Sequence, residues 1–117
     1  MRNFKKLLIW QKGMEIVKAT YELTNKLPTE EKFGLTSQMR RCAISVPSNI
    51  AEGSCDRSKK HYQHYIEIAT GSSFELETQA LICKEIGFVS EEHIQPLLLL
   101  IEEEQKMLTS FINKLKD

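Results

Sequence analysis

His61 and His64 stand three residues apart, Glu67 lies three further on, and Cys55 is a few positions upstream. These residue types ligate zinc and iron, and three-residue spacing places both histidines and the glutamate on one helical face. As a metal site the set is thin. Zinc is usually held by four well-spaced ligands, or by three with an open position. A carboxylate-bridged di-iron bundle needs Glu-x-x-His on two helices and two further inward glutamates. Here the order is His-x-x-Glu, once, so surface or capping histidines are the expectation, with no metal and no other cofactor. Glu75 and Glu77 are two apart and point to different sides of a helix, a poor arrangement for paired acid/base work. Cys55 lies beside Arg57 and Lys59, a setting that can lower a thiol pKa, but no base is placed next to it. No nucleophile, base and orienting group fall together, and an enzyme is not expected.

The other chemistry in the chain is cationic. Net charge is zero, yet residues 1–60 hold 12 Lys/Arg against 6 Asp/Glu, while residues 61–117 hold 4 against 10. Either the halves pair as helices and neutralise each other, or the basic half presents a face to a polyanion. Arg57, Lys59 and Lys60 precede or open a helix beginning after Ser58, where cations oppose the macrodipole. Solvated lysines explain that placement; so does an anion held on the free backbone N–H groups. Lys5, Lys6 and Lys12 lie close to Phe4 and Trp10 and add backbone contacts with a stacking surface for a single strand. Arg40 and Arg41 complete the cationic set.

What must position these residues is helical nearly throughout. The spacing predicts a first helix over about Leu7–Lys26, carrying Ile9, Trp10, Met14, Val17 and Tyr21 with Ile16, Leu23 and Leu27 beside them, ended by Pro28. A second spans about Phe33–Glu52, with Leu35, Met39, Cys42, Val46 and Ile50 in line and Gly53 as its stop. Ser58 caps a third that aligns Tyr62, Tyr65, Ile66, Ala69, Ser73, Leu76, Ala80 and Cys83 and closes at Gly87. Ser90 caps a fourth with Glu91 and Glu92 in its first turn; Pro96 is expected to mark its true start after an irregular lead-in. Gly71 is read as a point of close helix approach. Short connections imply an all-α, antiparallel up-down-up-down four-helix bundle over residues 1–117 as one domain.

Within the second helix Gln38, Arg41, Ser45, Asn49 and Glu52 form one polar stripe, and Arg40 points about 100° away. Pro47 withholds its donor from the carbonyl of Ala43, which costs roughly 3 kcal/mol in a helix interior and bends it. The stripe is either a polar seam that fixes register around the kink, with Arg41 and Glu52 closing a buried network, or a surface facing a ligand. Leu97, Leu98, Leu99, Leu100 and Ile101 run consecutively around the whole circumference of the fourth helix, and Ile44, Pro47 and Ala51 form a second apolar strip. Both strips ask for cover, so a homo-oligomer is expected. No apolar run approaches the roughly 20 residues of a membrane span. The N-terminus carries no secretory pattern and the three cysteines form no CxxC pair, so a reducing cytoplasmic setting is expected.

The order L-x-x-Q-x-R-R-x-x-x-S-x-P-x-N-I-A-E-G, carried by Leu35, Gln38, Arg40, Arg41, Ser45, Pro47, Asn49, Ile50, Ala51, Glu52 and Gly53, resembles the four-helix-bundle proteins encoded in intervening sequences of 23S ribosomal RNA genes. The likeness extends to Phe4–Trp10, to LPTEEKFGL between the first two helices and to IATGSSFELET at Ile68–Thr78. It implies a pentameric ring of bundles. A related branch serves as accessory protein to the reverse transcriptase of diversity-generating retroelements, which implies RNA, or an RNA-bound protein such as a reverse transcriptase, as partner. The matching basic positions are Arg40, Arg41 and Arg57, with Lys59 and Lys60 in the same region. The acidic second half departs from a uniformly basic binder, so binding would rest on a local patch repeated by symmetry. The rival expectation is a protein-interaction scaffold that touches no nucleic acid.

Overall fold

Ile9, Gly13, Ile16, Thr20 and Leu23 recur at three-to-four spacing and are the buried line of α1 (Leu8–Thr24). The sequence names Ile9, Ile16 and Leu23 as well, but sets beside them Trp10, Met14, Val17 and Tyr21. Those last four flank the core, half-buried or exposed, because the true stripe passes through a glycine and a threonine that do not read as apolar. The structure, a computed structural model, describes residues 3–56 and 58–116. It adds a short 3-10 turn at Phe4–Lys6, capped by Asn3, and another at Thr29–Glu31. The remaining helices are α2 (Leu35–Ser54), α3 (Lys59–Glu85) and α4 (Glu91–Lys116).

Register follows from pairs of contacting side chains. Arg40 of α2 reaches Thr24 at the end of α1, whereas Pro47 meets Gly13 near its start. Between α2 and α3 the pairs run Met39 with Cys83, Ser45 with Ser72, and Glu52 with Tyr65. Lys84 bonds Glu91, Glu77 accepts from Gln105, and Tyr62 packs on Phe111, so α3 and α4 also run antiparallel. Lys12 pairs with Glu103, and α4 closes back onto α1. The result is an antiparallel four-helix ring of packed rods, 44 × 23 × 20 Å.

Several boundaries differ from the sequence expectation. Gly53 does not stop α2; it is buried inside the helix, where an added Cβ would stand 2.7 Å from Tyr65 Cβ and 3.2 Å from Tyr62 Cδ1. The glycine is required by close approach of α3. Gly71, expected to permit such an approach, is exposed with nothing within 4 Å. The tight contact falls one residue later, where Ser72 meets Ser45 at 2.8 Å. Pro96 does not start α4, which begins at Glu91 with Ser90 Oγ accepting from the His93 backbone N–H. Pro96 withholds a bond only from Glu92, an exposed residue whose carbonyl water can satisfy. Gly87 closes α3 as expected, at φ 80°.

The apolar run on α4 is largely absorbed within the chain. Leu97 and Ile101 are buried, Leu98 and Leu100 pack at the core edge, and Leu99 alone of the five is 48% exposed. Pro47 is buried against α1 rather than forming an outer strip. The core itself divides in two. One cluster gathers Ile16, Met39, Leu76 and Ile101; the other gathers Ile9, Val46, Ile66 and Leu108. Between them the heptad lines pass through Gly13, Ser73 and Glu104, all buried. Glu104 is 0% exposed, and neither carboxyl oxygen has a hydrogen-bond partner among the described residues.

Candidate nucleic-acid interface

The antiparallel register brings four chain segments to one pole: the Phe4–Lys6 turn, the end of α2, the start of α3 and the end of α4. Leu7, Leu8 and Ile9 share a groove with Met107, Phe111 and Lys114, and Tyr62 stacks at 5.4 Å on Phe111. Lys5, Lys6, Lys59, Lys60, Lys114 and Lys116 are exposed around this pole. None of the six forms an ion pair with a described residue, in contrast to Lys12, Lys84 and Lys106. Four of them were expected from the sequence. Lys114 and Lys116 were missed, although an up-down topology places the last turn of α4 beside the first turn of α3.

The start of α3 explains how cations are tolerated there. Ser58 Oγ accepts from the His61 N–H, and Asp56 accepts from the Ser58 N–H at 2.9 Å while its other oxygen lies 3.2 Å from His61 Nδ1. An acidic residue and a hydroxyl therefore offset the opposition between Lys59, Lys60 and the macrodipole. Arg57 lies outside the described residues.

Three other expected cations are placed elsewhere. Arg40 donates from Nε to Thr24 Oγ1 and from Nη2 to Asn25 Oδ1, both at 2.9 Å, and its guanidinium stands 4.4 Å from the centre of the Tyr21 ring. It clamps α2 to the end of α1. Lys12 bonds Glu103 at 2.8 Å and Glu15 at 3.5 Å; the hydrogen bond to Glu103 raises its pKa against the opposing effect of burial. Arg41 is exposed and has no ion-pair or hydrogen-bond partner among the described residues.

The polar stripe on α2 is half-buried rather than a sealed network. Asn49 donates to the Ser45 carbonyl and hydroxyl, Ser45 meets Ser72, and Glu52 accepts from Tyr65 at 3.3 Å. The charge on Glu52 raises the Tyr65 pKa. Gln38, Arg41 and Glu52 are exposed, so Arg41 and Glu52 close no buried pair. A cavity of about 490 Å³ opens over the Ser45–Ser72 contact, with Phe33, Gln38 and Arg41 on one side and Glu75 on the other. In its floor Cys42 directs its thiol at the Ser72 carbonyl, 3.1 Å away; burial, and secondarily the charge of Glu75, push that thiol up to about 12. It is no nucleophile at neutral pH.

The histidine group does not converge. His61 turns to Asp56, His64 lies beside the Tyr65 ring, and Glu67 accepts from Gln63. Among the described residues no three His, Cys, Asp or Glu side chains form a metal-sized group. Glu77 bonds Gln105 whereas Glu75 lines the cavity, which separates the two carboxylates as their spacing predicts. Among the described residues no helix is long and apolar enough to cross a membrane.

A model of the 23S rRNA-intervening sequence protein family matches residues 5–110. The chain belongs to that family. The match takes in all four helices and most of the lysine pole, though it stops short of Lys114 and Lys116. Among solved structures, the chain is similar to a protein from Bacteroides thetaiotaomicron VPI-5482, described as of unknown function and from the S23 ribosomal protein family. The two share 22% identity and a TM-score of 0.83, over 91% of this chain and 96% of the other. That likeness supports the four-helix fold. No curated protein matches the chain. Neither the family nor the structural neighbour points to catalysis.

Proposed function

We propose that this protein is a non-enzymatic, oligomeric accessory factor that binds the backbone of RNA, or of an RNA within a ribonucleoprotein, through its lysine pole. The carrying observation is the convergence of Lys5, Lys6, Lys59, Lys60, Lys114 and Lys116, exposed and without ion pairs to described residues, from three separate chain segments. Unpaired cations held at one end of a rigid bundle release counterions when they meet phosphates, and no base contact is required for that affinity. The Phe4 and Trp10 rings, packed edge to face at 5.4 Å, border the pole next to Lys5 and Lys6. The family resemblance supports a ring of five, which would repeat a weak pole and multiply its affinity.

Filter binding of single-stranded RNA across a salt series tests the reading. Replacing Lys59, Lys60, Lys114 and Lys116 by Gln should weaken binding and flatten its dependence on salt, whereas Arg40→Ala should lower stability with little effect on the salt slope. Affinity independent of ionic strength, or unchanged in the four-lysine variant, refutes it. The scaffold alternative is favoured by one observation, the exposed row Phe74, Leu81, Ile82 and Ile86 on α3. Protein captured after nuclease treatment, together with absent RNA binding, would support that alternative.

A further inference from the structure

The cavity between α2 and α3 is separate from the lysine pole, and its chemistry is of a different kind. About 20 Å of helix separates Arg41 from the end of α2 at 1.5 Å per residue. Its floor is satisfied, since Ser45 and Ser72 bond each other and the Cys42 thiol is directed at a carbonyl. What remains available on the walls is a set of unlike groups. The side chains of Gln38 and Arg41 stand on α2 with no hydrogen-bond partner among the described residues, Glu75 faces them from α3, and Phe33 sits at the rim, 89% exposed. An exposed phenylalanine beside a donor-rich wall and an acceptor-only wall suits a flat ring bearing complementary edges.

We infer that this cavity takes one unstacked guanine base from a bound single strand. Guanine presents N7 and O6 as acceptors, which suit the Arg41 guanidinium and the Gln38 amide. Its Watson–Crick edge carries adjacent N1–H and N2–H donors, which a Glu75 carboxylate accepts through two oxygens. Phe33 supplies the stacking face that single-strand readers use. Adenine lacks the paired donors, uracil offers one ring N–H, and cytosine offers one exocyclic amine, so none of them satisfies both walls. A cavity of about 490 Å³ accommodates a nucleotide. This inference rests on the proposed binding at the lysine pole, and adds base identity to a contact that otherwise reads only phosphate.

Anisotropy titrations with two labelled strands test it: a uridine nonamer, and the same strand with one guanosine. At about 3.4 Å per nucleotide the strand spans about 30 Å, enough to reach from pole to cavity. The guanosine strand should bind about tenfold tighter, the discrimination of one good bidentate base contact. Glu75→Gln should erase that difference without weakening the uridine strand, whereas Phe33→Ala, which removes a stacking face open to any base, should weaken both strands and the guanosine strand more. Both positions are exposed, so the variants should keep the fold. Equal affinity for the two strands, or a preference that survives Glu75→Gln, overturns the guanine site and leaves the lysine pole standing. Tighter binding of an adenosine- or cytidine-substituted strand overturns it as well. Failure of both strands to bind removes both readings together.

Discussion

Among the described residues, Glu104 is a fully buried carboxyl group with no hydrogen-bond partner for either oxygen. It occupies the position where the Ile94, Leu97, Ile101 and Leu108 line demands an apolar side chain, and its oxygens approach the Gly13–Pro47 contact, 3.4 Å from where a Gly13 Cβ would be. Burial raises its pKa to about 8; Lys12 pulls it down and Glu15 adds a smaller upward push. Lys12 cannot fully offset the burial because Glu103 and Glu15 already share it. The native state therefore holds a proton that the unfolded chain releases near the ordinary carboxylate value. Since the folded state binds more protons between about pH 4.5 and 8, stability is greatest below that window and falls as pH rises through it. A shift of that size corresponds to at most about 4–5 kcal/mol between the limits. Urea unfolding at pH 5, 6.5 and 8 should show the decline, and Glu104→Gln should flatten it and be the more stable protein at pH 8. Every other titratable group is common to both proteins and cancels in the difference. Parallel curves for the two proteins would mean that Glu104 is neutralised by a partner.

At the scale of the helices, two glycines give opposite predictions. Gly53→Ala forces a methyl to within 2.7 Å of Tyr65 Cβ, so α2 and α3 must separate where they pack most closely. The expected cost is about 1–3 kcal/mol, as for other overpacked sites. Gly71 lies in the exposed interior of α3 with no neighbour within 4 Å, and Gly71→Ala should add about 1 kcal/mol through helix propensity. Denaturant midpoints read both signs. These residues also mark what the sequence made legible. Four helices, the Ser58 and Ser90 caps and the Gly87 closure follow from local rules, because capping and turn chemistry act within a few residues. The roles of Gly53 and Gly71 do not, because a glycine at the end of an apolar stripe looks the same whether it stops a helix or admits a neighbouring one. Arg40 and Arg41 were equally opaque: adjacent in sequence, one is bound to Thr24 and Asn25 and the other stands free. Glu104 was legible in principle from the heptad continuing through Ile101 and Leu108, but a single charged residue among EEEQK reads as solvated surface.

Folding redistributes charge along the whole molecule. In sequence the basic and acidic residues divide by halves; in the bundle they divide by ends. Free lysines from the Phe4–Lys6 turn, α3 and α4 meet at one pole, while Glu30, Glu31, Glu85, Glu91 and Glu92 gather at the other and outnumber Lys26, Lys32 and Lys84, the last of them paired with Glu91. A chain of zero net charge thus offers a polyanion one attractive end. Six lysines on a single-stranded partner set a limiting salt slope of about −4 per chain, using about 0.7 for each neutralised phosphate. A steeper slope needs more than one pole on the same strand, and hence an assembly. The exposed row Phe74, Leu81, Ile82 and Ile86 runs along the outside of α3 and is the surface such an assembly would cover. Leu81→Glu with Ile82→Glu places two charges in that row without touching either core cluster. The wild-type protein should therefore run in light scattering at a multiple of 13.5 kDa and the double variant at 13.5 kDa. The variant should retain its folded helix content, bind RNA more weakly and show a slope no steeper than about −4, because each chain then meets the strand alone. A wild-type mass of 13.5 kDa would leave the α3 row free for a different protein and confine RNA contact to one pole.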